Sequence, residues 1–495
     1  VTALLAACAS PSTGGAAGAS TAAKDGGTLK WASSYAPLSW DPVVNGSGGT
    51  FRINALAYAS LTNTNAKGEA VPGLAKSWSY NADGTEVTFH LRPGLTFNDG
   101  TPLDSAAVKA YIVRAQTQKN SALVGEGIAP IASIDTPNAT DVVLHLGQPD
   151  FQIPLVLAER VGQITNPKAT PDQLSQKPDG AGPFIPVEIV PGSHATFTKN
   201  PHYWDAKDIH IAKVELSFGV DPSTVVSGLQ TGVYNFSDIT PAQAKAAKGA
   251  GLDVLQLPGF NANNVSINTT IAPFDNPKVV DAVRYAINRD QIVKQVDFGY
   301  GKATTEPFPS GYIAYDPSSA DLYPYNPKKA KQLLAEAGYA SGLTVPFVVQ
   351  FDTPSSELIQ TQLKAVGIDA QLKVDPNWAA AFFAKKNVLT TYGTTGRDSP
   401  IQTLQAHFGA KGALNSSGVD AGPAFQAAVA KALATPLDSA DYAKNIRAAT
   451  KAGLASTGLV FTDSLPNLYA KATTVSPLPR IPGHVSWAGV TISGE

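Results

Sequence analysis

LAKSWSYNADGTEVTFHLRPGLTFNDGTPLDSAAV, residues 74–108, writes its own local structure. Asp83-Gly84 supplies the tight turn of a hairpin between two runs that alternate apolar and polar residues. The second run ends at Leu91-Arg92-Pro93-Gly94, and both Pro93-Gly94 and Asp99-Gly100 are turn pairs. Asp104 stands where an N-cap is expected, ahead of a helix bearing Val108 and Tyr111. Hairpin, turn and helix therefore follow one another within thirty-five residues.

Outward from that stretch, punctuated segments recur along the chain. Residues 31–42 (WASSYAPLSWDP) read as a strand leading into the turn Trp40-Asp41-Pro42. DGAGPF (179–184), Pro191-Gly192, NPHYWD (200–205) and GLQTGVYNF (228–236) come next. Asn276-Pro277 opens a helix with Val279, Val280, Val283, Ile287 and Val293 on or near one face. Asn326-Pro327 opens another, closed by Gly338. A strand over 343–351, a helix stopped by Gly367 and a strand over 368–374 make a βαβ unit, and 213–218 is a further strand.

In this order these segments resemble the bacterial extracellular solute-binding proteins of family 5, the peptide/nickel-type receptors of ABC importers. Trp78, Asp83-Gly84, the Leu-Arg-Pro-Gly at 91–94 and the Phe97 to Pro102 turn match the family's signature. Departures are Ala181 where Thr or Ser is usual, Gly228 for Ala and Asn235 for Asp. The resemblance implies an α/β fold of the type II periplasmic-binding-protein kind, with two lobes around a ligand cleft and a two-segment hinge. It places lobe one at 28–262, with an extra subdomain over about 52–181. Lobe two would span 263–477, and 478–495 would return to lobe one. The crossings are expected near 261–267 and 474–478, and closure on ligand follows from such a hinge.

The resemblance also directs attention to YGTTGRDSP, residues 392–400. In peptide-binding members an Asp shortly before a Pro grips the ligand's amino terminus, and Asp398 is the match, displaced by the intervening Ser399. Asp398 equally suits pairing with Arg397 or capping the helix that starts near Pro400. Arg397 suits a ligand carboxylate or a local ion pair. Trp40 and Trp378, just past strand ends, and Tyr392 are aromatic candidates for the cleft wall or for packing. Arg160 is a further candidate, whereas Arg284 and Arg289 are expected to be solvated or structural. Leu5-Ala6-Ala7-Cys8 resembles a lipobox, so Cys8 is the expected lipidation site, with the Gly/Ala/Ser/Thr-rich residues 9–27 as a tether.

Charge and composition narrow the classes. With 37 basic and 39 acidic residues there is no basic stripe for nucleic acid. No apolar run reaches the eighteen residues of a membrane span. A single Cys excludes internal disulfides and multi-cysteine metal clusters. The seven His include no i, i+3 or i, i+4 pair, and no nucleophile elbow, His-Glu-x-x-His, Ser-x-x-Lys or complete Gly-x-Gly-x-x-Gly is present. The expectation is a non-enzymatic, monomeric, lipid-anchored extracytoplasmic receptor without cofactor, delivering small peptides to membrane permease subunits. An oligosaccharide, an opine-like compound or a nickel chelate is the alternative cargo, and a secreted enzyme the alternative class.

Overall fold

The computed structural model describes residues 25–44, 48–118, 122–158, 160–320, 322–396, 399–455 and 458–494. Two strands far longer than the rest, Asp253–Ile267 and Leu459–Lys471, run antiparallel at the centre of a nine-stranded sheet. Asp253 faces Lys471 and Leu257 faces Asn467; pairing then skips three residues and resumes with Asn261 opposite Leu465. Pro258 in the skipped segment has no N–H to offer the ladder. Gly259 lies beside the Asn261 side chain, whose Nδ2 would be 2.8 Å from a Cβ at that position.

This break divides the molecule. On one side Leu257 and Tyr469 join Trp31, Phe197, Phe236 and Trp487 in the core of lobe one. On the other, Val265 and Val460 join Phe274, Val283, Phe347 and Leu363 in the core of lobe two. The second crossing thus lies inside Leu459–Lys471 and not at 474–478, because Lys471 already pairs with Phe236 and Asp253 of lobe one. The first falls between Leu257 and Ala262, slightly before the expected 261–267.

The opening hairpin forms as its turn chemistry dictates. Ala75–Tyr80 and Glu86–Leu91 pair antiparallel, with Trp78 opposite Phe89 and Gly84 at φ +72° in the turn. Asp141–Leu146 and Ile131–Asn138 extend them to a four-stranded sheet. The helix Ser105–Thr117 covers it, its first turn capped by Asp104, which accepts from the Ala107 N–H at 3.0 Å. One apolar core from Val43 to Ala181 holds this subdomain together. Its link to lobe one includes a buried ion pair. Asp41, fully buried, accepts from Arg114 Nη1 at 2.7 Å and Nη2 at 2.8 Å, the bidentate geometry that a guanidinium favours.

In lobe two, Leu343–Val349 and Ile368–Val374 pair in parallel around the helix Pro354–Val366, which Gly367 ends at φ +103°. The expected helix over 279–293 is instead two, Pro277–Ala286 and Arg289–Gln295. Asn288 starts the second by accepting from the Gln291 N–H, while its own N–H donates to Gln362 Oε1. Arg284 and Arg289 are buried rather than solvated. Arg289 donates from Nε to the Thr304 and Phe461 carbonyls and from Nη1 to that of Tyr323.

Behind the crossing sit two buried carboxyls, Asp297 and Asp463. Burial and the neighbouring Asp463 charge push Asp297 up to about 8, and burial also raises Asp463. The folded protein therefore holds the Asp297 proton more tightly than the unfolded chain. Its contribution to stability is complete below the ordinary carboxyl value of 3.8 and is lost as pH rises through about 8.

Two predictions follow from these groups. Asp297→Asn should flatten the fall in urea midpoint between about pH 4 and pH 8; an unchanged slope would refute the assignment. Asp41→Ala, which strands the Arg114 charge, should cost about 3–5 kcal/mol in urea unfolding.

Candidate ligand cleft

The break in the long strands leaves amide side chains where the two lobes meet. Asn261 donates from Nδ2 to the Leu465 carbonyl at 3.0 Å and to Asn467 Oδ1 at 2.8 Å. Asn263 donates to Asp463 Oδ2 at 2.6 Å. Asn261, Asn263, Leu465 and Asn467 line a cavity of about 390 Å³. Lobe one contributes Ser34 and Tyr35 from the end of its first strand, Thr28–Ala32. It also contributes Asp238, Tyr469 and Arg52, the last from the helix Gly48–Asn54. Lobe two contributes Gly393, Thr394 and Thr395, at and just past the end of Leu389–Thr394. The wall thus sets amides, hydroxyls, one acid and one base among apolar side chains such as Val220, Val225, Ile239 and Leu468.

Asp238 is held by its neighbours. Oδ1 accepts from Trp31 Nε1 at 3.1 Å, and Oδ2 from the Ser34 N–H at 3.2 Å and hydroxyl at 3.1 Å. Arg52 donates from Nη2 to Asn467 Oδ1 at 2.5 Å and from Nε to the Gly483 carbonyl at 3.3 Å.

The lobes touch across the cleft, so this is a closed arrangement. Arg160, buried on lobe one, donates from Nη2 to Thr395 Oγ1 at 3.3 Å, and its guanidinium lies 5.7 Å from the Phe51 ring. Gln152 Oε1 accepts from two lobe-two hydroxyls, Ser399 at 3.1 Å and Tyr442 at 2.8 Å. Beside it the Phe151 N–H donates to the Leu433 carbonyl at 3.0 Å. Gly396 (φ +71°) packs so closely on Phe260, in the strand break, that a Cβ would fall 2.3 Å from that of Phe260.

The residues singled out from the sequence fare unequally. Arg160 is at the lobe boundary. Trp40 is 4% exposed and lies in the lobe-one core, its ring 5.8 Å from Phe197 and 6.1 Å from Phe218. Trp378 stacks on Phe382 at 4.8 Å and donates from Nε1 to Thr390 Oγ1. Tyr392 meets the same Phe382 ring at 4.9 Å and donates its hydroxyl to the Leu414 carbonyl at 2.6 Å. These three aromatic residues are engaged in packing and do not line the cavity described above. Arg397, Asp398 and Cys8 lie outside the described residues.

Sequence reasoning passed over Arg52, Gln152, Asn467 and Tyr469, which share no motif. The run Asn261-Ala262-Asn263-Asn264 at the first crossing was a usable signal, since amides are costly to bury without a partner. Among the described residues no group of three His, Cys, Asp or Glu is placed to hold a metal ion. None of the described helices is long and apolar enough to cross a membrane.

Comparison with known proteins agrees with this architecture. Glutathione-binding protein GsiB of Escherichia coli O1:K1 is 32% identical over 311 residues, covering 60% of each chain. The chain thus spans about 60% of the length of that curated relative. Among solved structures, AgaA of A. tumefaciens R10 in complex with agropinic acid superposes with a TM-score of 0.84 at 27% identity, over 95% of this chain and 99% of AgaA. DppA of Helicobacter pylori, solved with the peptide STSA, gives 0.83 over 95% and 98% of the two chains; at 23% identity it speaks to the fold alone. The mixed α/β fold is therefore that of the periplasmic binding proteins. Residues 69–415 match the sequence model of the bacterial extracellular solute-binding proteins, family 5. The chain belongs to that family.

Proposed function

We propose that this protein is the receptor of an ABC importer, capturing small peptides outside the cytoplasm and handing them to a membrane permease. The observation that carries this reading is the cavity at the hinge, walled by both lobes and holding Asp238 and Arg52 in separate hydrogen-bond networks. A zwitterion with neutral amides between its poles complements such a wall. The likeness to a glutathione-binding protein supports a peptide cargo. An opine-like cargo is the second reading, favoured by AgaA with its agropinic acid.

Capture works through differential contact. The open form exposes one wall at a time, and solute touches both walls only when the lobes meet. Closure is then favoured by whatever affinity the second wall adds. The chain acts as a binder without chemistry of its own. Lipidation of Cys8, with residues 9–27 as a tether, would hold the receptor at the outer face of the membrane; the Leu-Ala-Ala-Cys sequence supports this. Asp398 and Arg397, one and two residues before Ser399, are retained as candidate ligand contacts on sequence grounds.

Mass spectrometry of solutes released by denaturing natively purified protein tests the cargo. Short peptides are expected; a sugar or a metal chelate in their place would overturn the peptide reading and leave the fold intact. Gln152→Ala removes a clasp between the lobes but touches no cavity wall. It should weaken solute binding about fivefold by calorimetry, through a less favourable closed state.

A further inference from the structure

The lobe-one wall of the cleft holds two polar groups that the protein itself leaves incomplete. Arg52 donates only to neutral oxygens, the Asn467 side-chain carbonyl and the Gly483 backbone carbonyl, and among the described residues no carboxylate pairs with it. Its charge therefore faces the cavity uncompensated. Tyr469 is 1% exposed, with its ring stacked 5.1 Å from Phe236, and among the described residues its hydroxyl has no hydrogen-bond partner. A buried hydroxyl without a partner costs about 1–3 kcal/mol, so such groups are rare without a reason.

The two defects are neighbours. Arg52 and Tyr469 line the same cavity, and the phenol is close enough to Arg52 to feel its charge. Asp238, the cross-strand partner of Tyr469, and Tyr35 line the same cavity and are also near enough to influence the phenol. Asp238 already accepts from Trp31 and Ser34, so it fixes a negative pole there without neutralising Arg52. Arg52 is in turn tied to the hinge, because Asn467 Oδ1 receives both Arg52 Nη2 and Asn261 Nδ2.

We propose that Arg52 and the Tyr469 hydroxyl form a carboxylate-binding subsite on the lobe-one wall of the cleft. One carboxylate would meet the free side of the guanidinium and accept from the phenol, completing both groups at once. This deepens the cleft reading given above, on which it rests. It selects solutes that present a carboxylate to lobe one, with a cationic group favoured on the Asp238 side. Neutral sugars are disfavoured, because they would bury Arg52 without a counter-charge.

The test uses the full chain, stripped of solute, with acetate and acetamide as probes of the subsite and trialanine and trialanine amide as probes of the cargo. Acetate should raise the melting temperature of the wild type while acetamide does not. Arg52→Gln, which keeps a side-chain amide near Asn467, should abolish that difference; Tyr469→Phe should shrink it and Arg52→Lys should restore part of it. Trialanine should bind at least about tenfold more tightly than its amide to the wild type, with the preference lost in Arg52→Gln. Equal responses to acetate and acetamide, or an Arg52→Gln variant that discriminates like the wild type, overturn the subsite. Acetate discrimination with no trialanine binding upholds the subsite and overturns the peptide cargo alone.

Discussion

Two antiparallel strands that cannot stay in register are the constraint on which the rest of the molecule depends. Asp253–Ile267 and Leu459–Lys471 are paired at both ends, so each lobe is anchored to the same two chains. Between Leu257 and Asn261 the pairing fails, and Pro258 within that gap offers no N–H to the ladder. A sheet broken at one level bends more readily there than within its paired halves. The break is therefore both the joint between the lobes and the reason that unpaired amides gather beside it.

Those amides set the chemistry of the cleft. Asn261 and Asn467 hold each other and Arg52 at the hinge, and Asn263 beside them holds Asp463. Each partner fixes its neighbour's rotamer, so the cavity wall is organised before solute arrives. Behind it the Asp297–Asp463 region is kept poorly solvated, and burial raises both carboxyls above the ordinary carboxylate range. In front, contacts such as Gln152 with Ser399 and Tyr442 form between lobes. Contacts of this kind are modest singly, which suits a receptor that must reopen to deliver its cargo.

Local structure was legible in the sequence wherever backbone chemistry decided it. Asp83-Gly84, Asp104, Asn276 and Asn326 took the turn and cap positions that their side chains favour. The helix over 279–293 was misread because apolar spacing continues through Ile287, while Asn288 restarts the helix by capping and its N–H is claimed by Gln362, seventy-four residues away. The cleft was less legible for the same physical reason. Strand-end position left Trp40 and Trp378 open between cleft wall and packing, because a large ring is buried wherever neighbours such as Phe197 or Phe382 provide a surface. Arg52 carried no local mark, since its role depends on Asn467 and Gly483, more than four hundred residues away.

Closure about the strand break is tested most directly by the distance between the lobes. Spin labels introduced by Lys76→Cys and Lys431→Cys, both at exposed positions in lobe one and lobe two, report that distance in a background lacking Cys8. Rigid-body closure predicts a broad distribution in solute-free protein that shortens and narrows when the natively released solute is returned. An unchanged distribution at saturating solute would contradict it.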